Sequence, residues 1–341
     1  MVEIAEKAGV SAATVGFVLN GAGKGSRRVS DKTAIRVRQI AKDLNYRPNQ
    51  IARQLVGKGS KTIGVLIDPN PSESNSIRLA QITIHARECG YHTMTLHEKP
   101  DPQLVSECMD EFTARGVDGL ICVHHVYPGK PDLVAKIVDS AITNVVFIDE
   151  PAIKNATYIG TDYVDGTAQA VKYLHAQKKR RIGLALSDVQ WYSGPRIRQG
   201  YIQGMRELGI KLDENLIWIG DQDVNSDLEH ISPGIAGKIL DDLVLRERVD
   251  AIIACDDFWS AQLLNELSIR GVHVPNDVAL IGLGNYHISD YTRPALTSMD
   301  LQYEYIARTS VDMLLKMIDS EKKYKPERIL VKPKLVIRAS A

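Results

Sequence analysis

Cysteine is scarce in this chain of 341 residues: there are four, Cys89, Cys108, Cys122 and Cys255, none at paired spacing. Scattered in this way they suggest neither a disulfide framework nor a zinc motif, and a reducing cytoplasm is the expected compartment. No apolar run reaches the roughly 18 residues of a membrane span, and no basic-then-apolar leader precedes the fold, so neither spanning nor export is expected. No strand-like segment is followed by GxGxxG, no nucleophile elbow is present, and no Ser/His/Asp set stands out, which weighs against a nucleotide-dependent or hydrolytic enzyme. Net charge is absent too, with 42 Lys and Arg balancing 42 Asp and Glu. The balance hides an asymmetry. Residues 1–62 hold 12 basic and 4 acidic side chains, while the other 279 hold 30 and 38. A small basic head on a larger acidic body fits phosphate contact at one end, although a merely solvated basic face would count the same.

What is present begins with Val2 to Asn20, VEIAEKAGVSAATVGFVLN. Ile4, Ala5 and Ala8 fall at helical spacing, Gly9 interrupts, and Ser11 is placed to cap a second helix that buries Val15, Val18 and Leu19. Two short helices joined by a Gly-containing turn outline a helix-turn-helix, whose second helix enters the DNA major groove. GAGKGSRR follows as a Gly-rich basic loop; Gly25 after GK rules out a phosphate-cradling P-loop. Ser30 caps a third helix with Val37, Ile40, Ala41 and Leu44 on one stripe. Tyr46-Arg47-Pro48-Asn49 stops it, QIARQLVG forms a further short segment, and the polar GKGSK is a flexible link. The expected domains are a headpiece (1–48), a hinge and linker (49–60) and a core (61–341).

In the core, short apolar runs alternate with helical patterns. TIGVLID (62–68), YHTMTLHE (91–98), VDGLICVH (117–124), NVVFID (144–149), YIGTD (158–162), RRIGLAL (180–186), LIWIG (216–220), DAIIACD (250–256) and VALIGLG (278–284) read as strands, and LVKPKLVIR (330–338) as a last one. Such alternation means βαβ units and parallel sheets. Two α/β lobes of similar size are expected, lobe one from about 61–150 plus 285–303 and lobe two from 151–284 plus 304–341. A small molecule would sit between them, beyond the carboxyl ends of the strands.

Taken together, IAEKAGVSAATVGFVLN, RVSDKT, LNYRPNQIARQL, KTIGVLI, ARECGY, VDGLI, GTDYVDG, CDD, VPNDVALIG, PALTSMD, TSVDMLL and LVIRAS resemble the lactose-repressor (LacI/GalR) family of transcriptional regulators over nearly the whole chain. The first and third words are specific as a pair. The resemblance implies an all-α helix-turn-helix headpiece on a periplasmic-binding-protein-like core of two doubly wound parallel-sheet lobes. It implies a cytoplasmic homodimer, most simply a repressor, that binds a near-palindromic operator under control of a small-molecule effector, usually a sugar or nucleobase. No cofactor, metal or membrane contact is implied. In this chain the residues at Ala12, Ala13 and Phe17 would face bases. Ser11, Thr14, Asn20, Ser30, Tyr46 and Asn49 would hold phosphate or the headpiece fold. Asn49 to Val56 matches a hinge helix that folds on DNA, with Leu55 and Ala52 wedging into the minor groove, although Leu55 as an ordinary packing residue would read alike.

The reading helix departs from the family pattern. Relatives commonly have Thr-Val-Ser-Arg-Val-Leu-Asn where this chain has Thr14-Val15-Gly16-Phe17-Val18-Leu19-Asn20. Arg is the usual bidentate partner of guanine, whereas Phe offers only apolar contact, and Gly16 weakens the helix by roughly 1 kcal/mol relative to Ala. An atypical operator is expected, with Arg27 and Arg28 in the enlarged loop supplying compensating contacts, although a merely solvated insertion would read alike.

For the effector cleft the resemblance implies Asp149 at a first-lobe strand end, Asp257 just beyond IIACD, and Tyr303 as a stacking aromatic. Carboxylates beside an aromatic face suit a polyol, so a sugar or sugar derivative is expected. Asp162 matches a position near the hinge, as helix cap or ligand contact, and Gln222 matches one lining the pocket. Relatives place an Arg three residues before a Gly-aromatic pair. Here Ile197 takes that position before Gly200-Tyr201, and Arg196 or Arg198 would assume the role. Trp191, Tyr192 and Trp259 offer further stacking surface or core, and His124-His125 lacks a third metal ligand nearby. Gly282-Leu283-Gly284-Asn285 has lost one acidic side chain relative to many relatives. Dimer contacts would come from helices near 77–89 and 258–270. An α/β enzyme and a pure solute-binding protein are the competing readings.

Overall fold

The computed structural model describes residues 1–20, 29–46, 59–68, 72–97, 101–123, 132–187, 192–220, 233–320 and 324–341. The chain divides into two compact units, 1–61 and 62–341.

Among the described residues the first unit holds three helices, α1 (Val2–Ala8), α2 (Ala12–Asn20) and α3 (Asp31–Asp43). Gly9 ends α1 at φ 61°, the left-handed cap that glycine adopts without a Cβ penalty. The Ser11 hydroxyl then accepts the Thr14 N–H at 3.1 Å, and the Ser30 hydroxyl accepts the Thr33 N–H at 3.3 Å. Each cap satisfies an otherwise orphaned helix donor, worth about 1 kcal/mol. Ile4, Ala5, Ala8, Val15, Val37 and Ala41 form the core, with Val18, Leu19, Ile40, Leu44 and Tyr46 packed around it. The hinge segment of 49–56 and the linker to 58 lie outside the described residues.

Among the described residues the second unit has two six-stranded sheets. Its first half runs β1 (Thr62–Ile67), α4 (Glu73–Glu88), β2 (His92–His97), α5 (Pro102–Ala114), β3 (Gly119–Cys122), α6 (Asp132–Val138), β4 (Val145–Ile148) and β5 (Thr157–Thr161). It continues with α7 (Tyr163–Ala176), β6 (Ile182–Leu186), α8 (Ser193–Glu207), β7 (Ile217–Ile219), α9 (Pro233–Leu240), β8 (Ala251–Ala254), α10 (Asp257–Ile269) and β9 (Ala279–Leu283). The tail is α11 (Ile288–Tyr291), β10 (Thr297–Asp300), α12 (Tyr303–Asp319), β11 (Arg328–Val331) and β12 (Lys334–Val336). One sheet orders as β11-β5-β4-β3-β1-β2 and the other as β12-β10-β9-β8-β6-β7. All described pairings are parallel except β10 with β12.

The chain sorts between the lobes differently from the division expected at 150 and 285–303. β5 pairs with β4 in the first sheet, and α12 packs Ile306, Ala307, Val311 and Leu314 onto that sheet's Ile63, Val65 and Ile121. Residues 285–300, with β10, belong to the second lobe instead. The expected single strand at 330–338 is two strands in two sheets, broken at Pro333, whose missing N–H cannot serve a ladder. Apolar runs look alike whichever sheet they join, so hydrophobic periodicity does not encode this exchange. Three connections therefore link the lobes, at 161–163, 300–303 and 331–334. They are tied together: the Thr161 hydroxyl donates to the Leu301 carbonyl at 3.0 Å, and the Asp162 N–H donates to the Val331 carbonyl at 2.9 Å.

Candidate functional site

Two surfaces carry the expected chemistry. On the headpiece, Ser11, Ala12 and Ala13 are exposed at the start of α2, with Thr14, Gly16 and Phe17 partly so. The capping hydroxyls of Ser11 and Thr14 lie 2.9 Å apart, so Ser11 serves the helix end directly. The reading face thus presents methyls and one aromatic ring with few donors. A Cβ built on Gly16 would meet only the Met1 side-chain end at 3.6 Å, so no steric demand accounts for glycine there. Tyr46 lies against the headpiece core, and Ser30 caps α3. Arg27, Arg28, Asn49, Ala52, Leu55 and the side chain of Asn20 lie outside the described residues.

The second surface gathers beyond the carboxyl ends of strands from both lobes, where a parallel α/β sheet presents its loops. Asp149 follows β4 at φ 68°, and its N–H donates to the Ile159 carbonyl at 2.9 Å. Its Oδ1 accepts the Thr161 N–H at 3.2 Å and its Oδ2 accepts from Arg78 at 3.1 Å. Gly160 makes room for this, since a Cβ there would stand 2.5 Å from the Asp149 Oδ1. Arg78, one turn into α4, is itself buried at 5% exposure. Its guanidinium lies 4.7 Å from the Tyr303 ring centroid, and it reaches Asn75 Oδ1 at 3.4 Å, yet its Nε–H has no partner. Burial works against that positive charge, but the Asp149 carboxylate beside it holds its pKa above the ordinary value.

Tyr303 opens α12 in the first lobe and stacks on Tyr286 of the second, centroids 6.1 Å apart at 18°. Burial pushes its phenol up to about 12, partly offset by Arg78 and Tyr286. Tyr163 and Tyr286 are raised well above the usual phenol value, also chiefly by burial. All three therefore stay neutral and offer O–H groups at any physiological pH. Tyr192 lies edge-on to Tyr163 at 6.1 Å, beneath the Arg196 guanidinium at 3.6 Å. Arg196 then donates to Glu150 at 2.8 Å, an ion pair from α8 of lobe two to the β4–β5 loop of lobe one.

The arrangement separates the two arginine candidates. Arg196 faces the interlobe cluster, whereas both Arg198 contacts, at 2.8 Å, go to Glu214. Ile197 between them is core. Asp162 caps α7, accepting the Asp165 N–H at 3.0 Å. The expectation for Asp257 is corrected. It is fully enclosed in lobe two, where it accepts from Ser298 Oγ at 2.6 Å and from the Tyr286 N–H and Ser289 Oγ at 2.8 Å. No ligand hydroxyl reaches a carboxylate so enclosed. Its neighbour Asp256 caps α10 through the Phe258 N–H at 2.7 Å, and its charge is felt by Tyr286 and Tyr303. CDD does not say which of two adjacent carboxylates turns inward.

Trp259 is wholly buried, edge-on to Trp218, and belongs to the core rather than to a ligand surface. Gln222, Trp191, His124 and His125 lie outside the described residues. The altered Gly282-Leu283-Gly284-Asn285 stretch acquires a reason. Gly284 has φ 137°, and a Cβ there would come within 2.8 Å of the Tyr286 ring, so the glycine lets that ring fold back toward Tyr303. Asn285, at φ 53°, accepts from Arg338 at 2.8 Å. Arg78 is the residue that the sequence reading missed. It lies in a helix expected only to pair subunits, and its partner Asp149 is 71 residues away.

The chain is similar to known proteins over nearly its whole length. Residues 1–49 match the family described as bacterial regulatory proteins, lacI family, and residues 171–341 match the periplasmic binding protein-like domain. HTH-type transcriptional repressors PurR of Mannheimia succiniciproducens and Haemophilus influenzae Rd are 26% and 25% identical over 344 and 342 residues, covering 99% of this chain and 97% of each relative. The lac repressor dimer bound to operator and the anti-inducer ONPF has the same fold, with TM-score 0.79 at 23% identity, covering 99% of this chain and 97% of that one. A transcriptional regulator CelR–cellobiose complex superposes with TM-score 0.70 at 23% identity over 99% and 98%. No described helix is long and apolar enough to cross a membrane. With a lacI-family helix-turn-helix domain over residues 1–49 and a periplasmic binding protein-like domain over 171–341 of the same chain, the protein belongs to the lacI family of bacterial regulatory proteins, DNA-binding regulators rather than enzymes.

Proposed function

We propose that the protein is an operator-binding repressor whose DNA affinity is set by a sugar or sugar derivative held between its lobes. The observation that carries this reading is Arg78: a buried guanidinium, paired with Asp149 and laid on Tyr303, with one N–H unmet. A buried donor without a partner costs about 1–3 kcal/mol, a cost that a hydroxyl oxygen of the effector relieves. Vicinal hydroxyls donate to carboxylate at Asp149 and Asp256, and the C–H face of a pyranose packs on a tyrosine ring. Arg196 with Tyr192 forms the second-lobe wall.

Effector contact with both lobes favours one lobe arrangement, operator DNA favours one, and each ligand therefore changes the affinity for the other by the same factor. The headpiece docks α2 in the major groove through Ala12, Ala13, Gly16 and Phe17, and the segment from Asn49 orders on the duplex with Ala52 and Leu55 at the minor groove. A homodimer supplies two headpieces. Exposed Ile84 on α4 and Ile269 on α10 support the pairing faces. The test is a thermal-shift screen of sugars and nucleobases on the purified protein, followed by gel shift on its own upstream DNA. A sugar that raises the melting temperature and alters retardation supports the reading. Stabilisation by nucleobases alone replaces the effector class, and sugar binding without DNA binding makes the protein a solute carrier.

A further inference from the structure

On the first lobe, three side chains with metal-binding atoms converge on one point between α4 and α12. His85 in the last turn of α4 and Cys89 at its C-cap stand four residues apart and so share a face. Asp312 reaches them from α12. The His85 Nε2 lies 2.7 Å from Asp312 Oδ1 and 4.0 Å from Cys89 Sγ, and the three groups offer ligand atoms within 4.8 Å of one another. A tetrahedral zinc ion with bonds of about 2.0–2.3 Å sets its ligand atoms about 3.3–3.7 Å apart, a spacing that the exposed Cys89 and Asp312 side chains reach by small rotations. The other ring nitrogen of His85 is held by Glu88 Oε2 at 3.1 Å. That is the carboxylate–histidine relay that orients a metal-bound imidazole; a metal at Nε2 takes the place of the N–H that faces Asp312 in the metal-free chain. Glu88 is in turn held by Arg308 at 2.9 Å, which keeps it in the orienting position.

We propose that His85, Cys89 and Asp312 form a binding site for a divalent transition metal, with zinc the best fit to one imidazole, one thiolate and one carboxylate. Binding releases the Cys89 thiol proton and the His85 Nε2 proton to solvent as the metal takes their places, so affinity rises with pH. Three protein ligands leave the fourth position open, which suits an exchangeable ion better than a closed structural one. The ion joins the two helices whose cleft ends carry Arg78 and Tyr303. The site stands independently of the reading of the cleft. Spacing in the sequence hid it, because the third ligand is 227 residues from the first.

The test uses the full-length protein, stripped with chelator and titrated with Co²⁺ as a spectroscopic probe for Zn²⁺. The expected result is saturation at one equivalent per chain, with a thiolate-to-cobalt charge-transfer band and tetrahedral d–d bands that zinc abolishes. Cys89→Ser removes the charge-transfer band, and His85→Gln and Asp312→Asn weaken binding at least tenfold. Zn²⁺ raises the melting temperature of the parent protein and not of Cys89→Ser. Because Cys89 and Asp312 are exposed, those two variants keep the fold. Absence of a charge-transfer band in the parent protein, or cobalt binding unaffected by Cys89→Ser and Asp312→Asn, overturns the proposal.

Discussion

Replacing Arg78 by Met keeps the volume of the side chain and removes its charge. In the folded protein the change leaves Asp149, at 8% exposure, with one backbone donor from Thr161 and no cation. Removing one partner of a buried ion pair costs about 3–5 kcal/mol, because the other charge stays buried without compensation. For a body of this size about 1 kcal/mol corresponds to roughly 2 °C, so its melting temperature falls by about 6–10 °C. Adding Asp149→Asn removes the stranded charge. The amide oxygen still accepts the Thr161 N–H, and Asn tolerates the left-handed φ of 68° at that position. The double variant therefore recovers more than half of the lost stability while remaining blind to effector. The assay is a thermal melt of the parent protein, both single variants and the double. A loss under about 1 kcal/mol in Arg78→Met, or single losses that simply add in the double, refutes the reasoning, because additivity marks residues that do not interact.

Burial raises the Asp257 carboxyl above the ordinary aspartate value, against the pull of Ser298, Ser289 and Tyr286. The folded core then binds that proton before the unfolded chain does. Its contribution to stability falls as pH rises from the unfolded to the folded pKa, and Asp257→Asn flattens this slope in melts from acid to neutral pH; an unchanged slope contradicts the assignment. Gly16→Ala meets no atom closer than 3.6 Å and stabilises the headpiece by about 1 kcal/mol, read by melting of an isolated transition or by exchange protection in α2. Arg27→Ala with Arg28→Ala lowers the slope of log affinity against log salt by about 1.8 when both meet phosphate, and leaves it unchanged when the loop is only solvated.

Much of the fold was legible because binary patterning is local. The cap at Ser11, the stripe on α3 and each parallel strand from TIGVLID to VALIGLG could be read from a few neighbouring residues. The partition between lobes could not, since Ile159 and Ile182 sit in equally apolar runs and only the sheet order separates them. β10, Thr297–Asp300, escaped because Thr-Ser-Met-Asp has neither an apolar run nor clear alternation, although Thr297, Ser298 and Met299 are all buried. In the cleft the sequence offered Asp149, Tyr303 and the pair of arginines flanking Ile197. That Arg196 and Arg198 meet different carboxylates follows from helical phase: the two side chains are two residues apart and so point to different faces of α8, one toward Glu150 and the other toward Glu214. Arg78 was illegible for a different reason, its meaning residing in a partner on a distant strand.

The central claim is that one chain couples duplex binding at its basic head to metabolite binding in its body. The measurement that bears on it most directly is a closed thermodynamic square on the purified protein: operator affinity with and without saturating effector, and effector affinity with and without saturating operator, at physiological ionic strength. The account predicts selective retention of a segment of the protein's own upstream DNA over random duplex, and the same factor along both pairs of edges, between about 5- and 150-fold. An effector that binds with no change in operator affinity, or a protein that prefers no segment of that DNA whatever metabolite is supplied, contradicts it.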